Sequence, residues 1–257
     1  MKQHGLTAVL LIRDENEYLP EWLAWHAAQG VEHFYLYDDS RESSVADALG
    51  DYAPLCTVRD AKRYQYHLQF ETYIDALRRF GHETEWMAFI DTDEFLRSVD
   101  GTAISTILNA MPTSAAAVLC PWVVYNANGQ MTRTSAAVRE RFTQTVEWPL
   151  SNPNWKSIVR PALVQTMAAH SPIKMSEGAV LVDAHGVEVE DKYDLPADKL
   201  VVDHYFTKSY EEWVARLAKG SCDPFASRKK EWFAQLNPDL AEAVAALEAV
   251  AEEGEDT

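Results

Sequence analysis

No stretch of the 257-residue sequence approaches the roughly 20 consecutive apolar residues that a membrane-crossing helix requires. Near the N-terminus, Lys2 is followed only by the apolar run Leu6 to Ile12 before Arg13 intervenes. That run is too short for a secretory leader with a cleavage site, so a soluble, cytoplasmic protein is expected. Cysteine is scarce: Cys56, Cys120 and Cys222 are odd in number, widely spaced and without a CxxC pair. Neither a disulfide framework nor a zinc site is expected from them, only buried thiols in a reducing compartment. Basic residues are also in short supply, with 23 Lys and Arg against 40 Asp and Glu and a formal net charge of −17. Phosphate backbones and anionic lipid surfaces are gripped by clustered cations, so neither nucleic acid nor a membrane surface is expected as a partner. Small nucleotides are not excluded, because a divalent cation held by carboxylates reverses the local sign of the field. With ten glycines, the chain also lacks a Gly-rich phosphate loop near its start.

What the sequence does have is a globular composition, 47% hydrophobic and 25% charged, in a length that suits one large domain. Leu6 to Ile12 reads as a strand buried on both faces. A polar turn follows, then a helix over Tyr18 to Gln29, with Pro20 in its first turn and Gly30 placed to close it. Val31 to Tyr37 is a second strand ending in Asp38-Asp39-Ser40, which completes a βαβ unit. Further elements are expected as a short helix at Ser44 to Leu49, a strand at Cys56 to Arg59 and a helix at His67 to Phe80. A buried strand at Trp86 to Ile90 precedes a helix at Ala103 to Met111 and a strand at Ala115 to Val124. After residue 125 the pattern weakens to strands near Ser157 to Arg160, Ala179 to Val182 and Leu200 to Tyr205. Helices are expected at Ser209 to Leu217, at Lys229 to Leu236 and through the Ala- and Glu-rich tail. The fold class expected is α/β, a Rossmann-like, mostly parallel sheet flanked by helices.

The sharpest local signal is Ile90-Asp91-Thr92-Asp93-Glu94-Phe95. Open α/β sheets collect ligands at the carboxyl ends of their strands. Two carboxylates just past a buried strand can share a hard cation, with diphosphate oxygens filling its other positions. The cation would neutralise charge on a departing nucleoside diphosphate. A solvated acidic turn would leave the same tripeptide, but would not need apolar residues on both sides of it.

Several blocks in consistent order resemble glycosyltransferase family 92 and its bacterial relatives within family 2. They are RDENEYLPEWLAWHAAQGVEHFYLYDDS (13–40), Gln69, WMAFIDTDEF (86–95), Glu140-Arg141-Phe142, Lys156 to Pro161, and His204-Tyr205 with Lys208-Ser209. The resemblance implies a single GT-A-type domain over residues 1–236, with a nucleotide half at about 1–100 and an acceptor half at about 101–236. Residues 237–257 would form a helical tail. It also implies an inverting, Mn²⁺- or Mg²⁺-dependent transfer from a nucleoside-diphosphate sugar, UDP-linked, to a hydroxyl acceptor such as a glycan. By the same resemblance the role would be in bacterial polysaccharide or glycoconjugate synthesis.

Matched residue by residue, Asp91 and Asp93 would bind the metal, with His204 as third ligand and His170 as second choice. Imidazole beside carboxylates suits Mn²⁺ better than Mg²⁺. Asp38 or Asp39, Arg13, Glu15 and Gln69 fall on the nucleotide side, and Lys156 and Arg160 could meet diphosphate. An inverting transfer needs a base for the acceptor hydroxyl, for which Glu140 and Asp183 are the candidates. His26 reads as a core histidine satisfied by hydrogen bonds. Trp122, Tyr125, Trp148 and Trp155 could stack on an acceptor sugar, although most tryptophans simply fill cores. A nucleotidyltransferase lacks support without a Gly-rich loop. A HAD-type phosphatase would carry its DxD after the first strand. A sugar-nucleotide-binding module without turnover remains the non-enzyme alternative.

Overall fold

A computed structural model describes residues 2–63, 68–147, 154–220 and 231–255. Two compact units emerge: residues 1–123 with 152–204, and residues 124–151 with 205–257.

The first unit is built on a sheet. Strand β1 (His4–Ile12) pairs in parallel with β2 (His33–Asp38) on one side and with β4 (Thr84–Phe89) on the other, and β2 pairs in parallel with β3 (Cys56–Asp60). From Leu6 to Ile12 every residue of β1 is buried, as expected of a strand with covered faces. The crossover between β1 and β2 is α1 (Leu19–Ala28), which has Pro20 in its first turn. Gly30, at φ 93°, takes the left-handed conformation that lets the chain leave the helix at little steric cost. The crossover into β4 is α2 (Leu68–Phe80), whose Leu68, Tyr73, Ala76 and Leu77 form the buried face.

Beyond β4 the sheet changes character. Its order continues β8-β6-β12-β5, where β5 is Glu94–Ser98, β6 Ala115–Tyr125, β8 Trp155–Val159 and β12 Leu200–His204. Strand β8 runs antiparallel to both β4 and β6, and β12 antiparallel to β5. Short β11 (Val180–Val182) adds in parallel to β6, and β9 (Val164–Met167) forms a separate hairpin with β10 (Pro172–Met175). Helix α3 (Ile104–Asn109) lies between β5 and β6 in the chain. Strand β5 falls within a segment that the sequence reads only as the continuation of an acidic turn.

The second unit is mainly helical. It contains α4 (Val138–Arg141), the two-residue β7 (Thr145–Val146) paired with the end of β6, α5 (Tyr210–Lys219), α6 (Trp232–Leu236) and α7 (Ala241–Glu255). Ser209 and Glu212 close a capping box at the start of α5, and the Glu212 carboxylate also takes the buried Arg141 guanidinium. The expected tail helix is present as α7. Trp148 and Cys222, named above, lie outside the described residues.

Candidate active site

The carboxyl ends of β1, β2 and β4 carry the predicted donor-side residues. Asp38 ends β2 and is absorbed by its own loop: Oδ1 accepts the Ser40 amide, and Oδ2 accepts the Val45 amide and the Ser44 hydroxyl. Asp39 instead pairs with Arg13, whose Nε and Nη2 both approach the same carboxylate oxygen. The two neighbours that sequence reasoning could not separate thus divide into a loop-capping aspartate and an aspartate that fixes a guanidinium. Glu15 accepts the Thr92 hydroxyl, which ties the loop after β1 to the acidic turn.

That turn lies between β4 and β5. Asp91 is its most open member, with 36% of its side chain exposed, whereas Asp93 and Glu94 are buried. The Lys156 ammonium, from β8 and almost wholly buried, sits 2.7 Å from Asp91 Oδ2 and 3.2 Å from Glu94 Oε2. Burial alone would lower the affinity of this amine for its proton, but the facing Asp91 and Glu94 carboxylates raise it well above the ordinary value. Burial, with the neighbouring Asp91 and Asp93 charges, pushes the affinity of the Glu94 carboxyl for its proton upward, against the opposing pull of Lys156. Gln69 and Tyr73 on α2 reach Asp91 Oδ1 from the other side at 3.4 and 3.5 Å. Lys156 therefore stands inside the site as the counter-ion of two carboxylates, rather than as a surface cation. Arg160 is engaged elsewhere, with Glu85, with the carbonyls of Pro112, Thr113 and Ala115, and over the Trp86 ring.

Asp93 faces His204. The two are brought together by the β5–β12 register, in which Glu94 lies opposite His204. His204 Nε2 stands 3.3 Å from Asp93 Oδ2, and the Trp122 ring packs on the imidazole at 4.1 Å. Two ligands of one ion, each about 2.1 Å away at a right angle, lie about 3 Å apart. The Asp93–His204 pair, hydrogen-bonded at 3.3 Å, lies slightly wider than that spacing, and a carboxylate with an imidazole is a suitable donor set for Mn²⁺. Asp91 is turned toward Lys156, and among the described residues no three His, Cys, Asp or Glu side chains are gathered as a closed metal cage. A cation held by few protein ligands and completed by substrate phosphates fits this arrangement.

The remaining candidates are placed as follows. His170, at the tip of the β9–β10 hairpin, is anchored to β8: its Nδ1 bonds the Trp155 carbonyl and its own carbonyl accepts the Ser157 hydroxyl. Its ring meets Trp122 edge-on, and burial with the nearby Lys156 charge lowers its pKa to about 4. Asp183 accepts the amides of His185 and Val187 within its own loop. Glu140 belongs to α4 in the second unit and is exposed. Tyr125 stacks on Tyr205 in that unit, while Trp155 lies edge-on to Tyr193 in the first. Sequence reasoning missed Glu94 and Tyr73, although the former directly continues the acidic motif.

The sequence model of Glycosyltransferase family 92 matches residues 11–239. The chain belongs to glycosyltransferase family 92. This family 92 chain is similar to a family 92 protein of Ricinus communis, at 22% identity over 240 residues, covering 84% of this chain and 37% of that protein. It is also similar to galactan β-1,4-galactosyltransferase GALS3 of Arabidopsis thaliana, at 34% identity over 101 residues, covering 35% of this chain and 20% of that protein. The chain thus spans well under half the length of the curated relatives it matches. A distant likeness to a solved structure, the catalytic domain of Drosophila β1,4-galactosyltransferase 7 in complex with xylobiose, has 8% identity and a TM-score of 0.38. It covers 89% of this chain and 77% of that one. No helix among the described residues is long and apolar enough to cross a membrane.

Proposed function

We infer that this family 92 chain is a glycosyltransferase that moves a hexosyl group from a UDP-linked sugar to a hydroxyl of a glycan acceptor, with inversion. The observation that carries the reading is the buried Asp93–His204 pair at the carboxyl end of β4, beside the half-exposed Asp91. Asp93 and His204 would hold Mn²⁺ or Mg²⁺ with Asp91 alongside. The bound cation would supply charge neutralisation for the departing diphosphate. Arg13, fixed by Asp39, and Glu15, tied to Thr92, line the strand ends where the nucleoside is proposed to rest. Lys156 and Gln69 keep Asp91 in place between a full positive charge and an amide.

In the transfer itself, the acceptor oxygen forms a bond to the anomeric carbon as the bond from that carbon to the diphosphate oxygen breaks. UDP leaves with the electron pair, and the hydroxyl proton passes to a carboxylate base. Glu140 and Asp183 are the two residues proposed for that base. Asp183 already accepts two loop amides, so Asp183→Asn keeps an acceptor there while removing the charge. The base variant, Glu140→Gln or Asp183→Asn, should lose about 10²–10⁴-fold in transfer while still binding donor.

The galactosyltransferase name of a relative makes UDP-galactose the first donor to try. A thermal-shift screen of UDP, GDP, CDP and TDP, each with Mn²⁺, tests the donor site directly. UDP with Mn²⁺ should raise Tm more than the others, and more than UDP with chelator. No stabilisation by any nucleotide would defeat the reading.

A further inference from the structure

The acidic turn is held by one helix that contributes nothing to it in sequence. Trp22, Trp25 and His26 lie at i, i+3 and i+4 on α1, and therefore on one face. Each makes a hydrogen bond to the backbone of the turn or of the strand that leaves it. Trp22 Nε1 donates to the carbonyls of both Asp91 and Glu94, each at 3.0 Å. Trp25 Nε1 donates to the Leu96 carbonyl at 2.9 Å. His26 Nε2 accepts the Leu96 amide at 3.1 Å, while Nδ1 bonds the Trp22 carbonyl at 2.9 Å. An N–H aimed at Nε2 requires a lone pair there, so the proton of this imidazole sits on Nδ1. Ring contacts stiffen the group: Trp22 packs on His26 at 4.2 Å, and His26 stacks on Phe95 at 5.9 Å.

Core aromatics need only fill space. Here three adjacent polar ring atoms are all spent on the backbone around Asp93, in a segment where Thr92, Asp93, Glu94, Phe95 and Leu96 are buried. Backbone groups in such a segment must find partners within the protein. The partners chosen here fix the 91–92 peptide plane, from which Asp91 departs, and the planes from 94–95 to 96–97, so that the backbone is held on both sides of Asp93 where it meets His204. We propose that Trp22, Trp25 and His26 are positioning residues that hold the Asp91–Leu96 backbone in the geometry its carboxylates need. The ligand arm of the test rests on the metal and donor reading above, whereas the backbone arm does not.

The 257-residue chain is compared with Trp22→Phe, Trp25→Phe, His26→Leu and His26→Gln, well below each variant's Tm. Gln places an oxygen near the former Nε2 and so can still accept the Leu96 amide. Amide hydrogen exchange at Leu96 should rise at least about tenfold in His26→Leu and stay near wild type in His26→Gln, with β1 amides as controls. Mn²⁺ affinity in the presence of UDP, read from the EPR signal of free Mn²⁺, should weaken about tenfold in Trp22→Phe and His26→Leu and recover in His26→Gln. If Trp22→Phe fails to fold, the less buried Trp25→Phe carries the same comparison with a smaller expected change. The proposal is overturned if Leu96 exchange is the same in both His26 variants. It is also overturned if Tm falls in the variants while Mn²⁺–UDP affinity stays at the wild-type value. Should wild type itself bind no Mn²⁺–UDP, the functional reading fails, and the exchange data still decide the positioning claim.

Discussion

The parallel and antiparallel parts of the sheet hold the acidic turn by different means. From the parallel side, α1 grips its backbone through the indole N–H groups of Trp22 and Trp25 and the imidazole of His26. From the antiparallel side, β8 and β12 address its side chains: Lys156 takes Asp91 and Glu94, and His204 takes Asp93. Neutral hydrogen bonds to backbone respond to loss of shape or partner. Buried charges respond to loss of a counter-charge, and far more steeply, because an unpaired ion in a poorly solvated place has nothing to replace its hydration. The antiparallel side is therefore expected to be the functionally and electrostatically sensitive one.

The comparison breaks or sharpens in order of effect. Asp93→Ala should abolish Mn²⁺-stimulated UDP release, by at least about a hundredfold, since even outer partners of metal ligands cost 10–100-fold. Full activity in that variant would remove the metal from Asp93. Lys156→Met leaves Asp91 and Glu94 facing each other without their cation, and should cost about 3 kcal/mol in urea unfolding. Adding Glu94→Gln should recover part of the loss, and strict additivity would show that the three groups are not one network.

A smaller effect is expected with pH. Burial lowers the His170 pKa from 6.5 to about 4, so the unfolded chain takes up this proton first as the solution is acidified. The stabilising contribution is complete above about pH 6.5 and is lost progressively down to about pH 4, where it levels off. Replacing the residue, His170→Asn, should flatten that part of the Tm–pH curve; an unchanged slope would place the titration elsewhere. Least of all, Asp38→Asn should lower stability by about 1 kcal/mol, because its carboxylate caps a loop. Asp39→Asn is expected to act on donor KM instead.

Much of the parallel part was legible from sequence. The apolar run of β1, the helix α1 closed by Gly30, and the strand leading to Asp91 each depend on neighbours within a few residues. The antiparallel part was harder. Strand β8 begins at Trp155, two residues earlier than its apolar pattern suggests, and the β9–β10 hairpin turns through Ala168 to Ser171 without a strong turn dipeptide. Strand β5 is defined by pairing with β12, more than a hundred residues away, which no local period reveals. For the site, the residue types and the Asp91–Asp93 spacing were readable, and the family resemblance pointed to His204, which the structure sets beside Asp93. The burial of Lys156 was not, because a lysine between Trp155 and Ser157 looks the same whether its ammonium meets solvent or two carboxylates.

By itself the sequence determined the βαβ opening, the placing of two carboxylates after a buried strand, and membership of a family whose blocks run along most of the chain. These follow from local periodicity and from motif order, which survive without coordinates. Only the tertiary structure decided that Asp38 caps while Asp39 pairs with Arg13, that Asp91 and Asp93 have different partners, and that α1 grips the turn between β4 and β5. Those outcomes depend on which distant strand or helix face arrives beside a given side chain, and on what charge it brings.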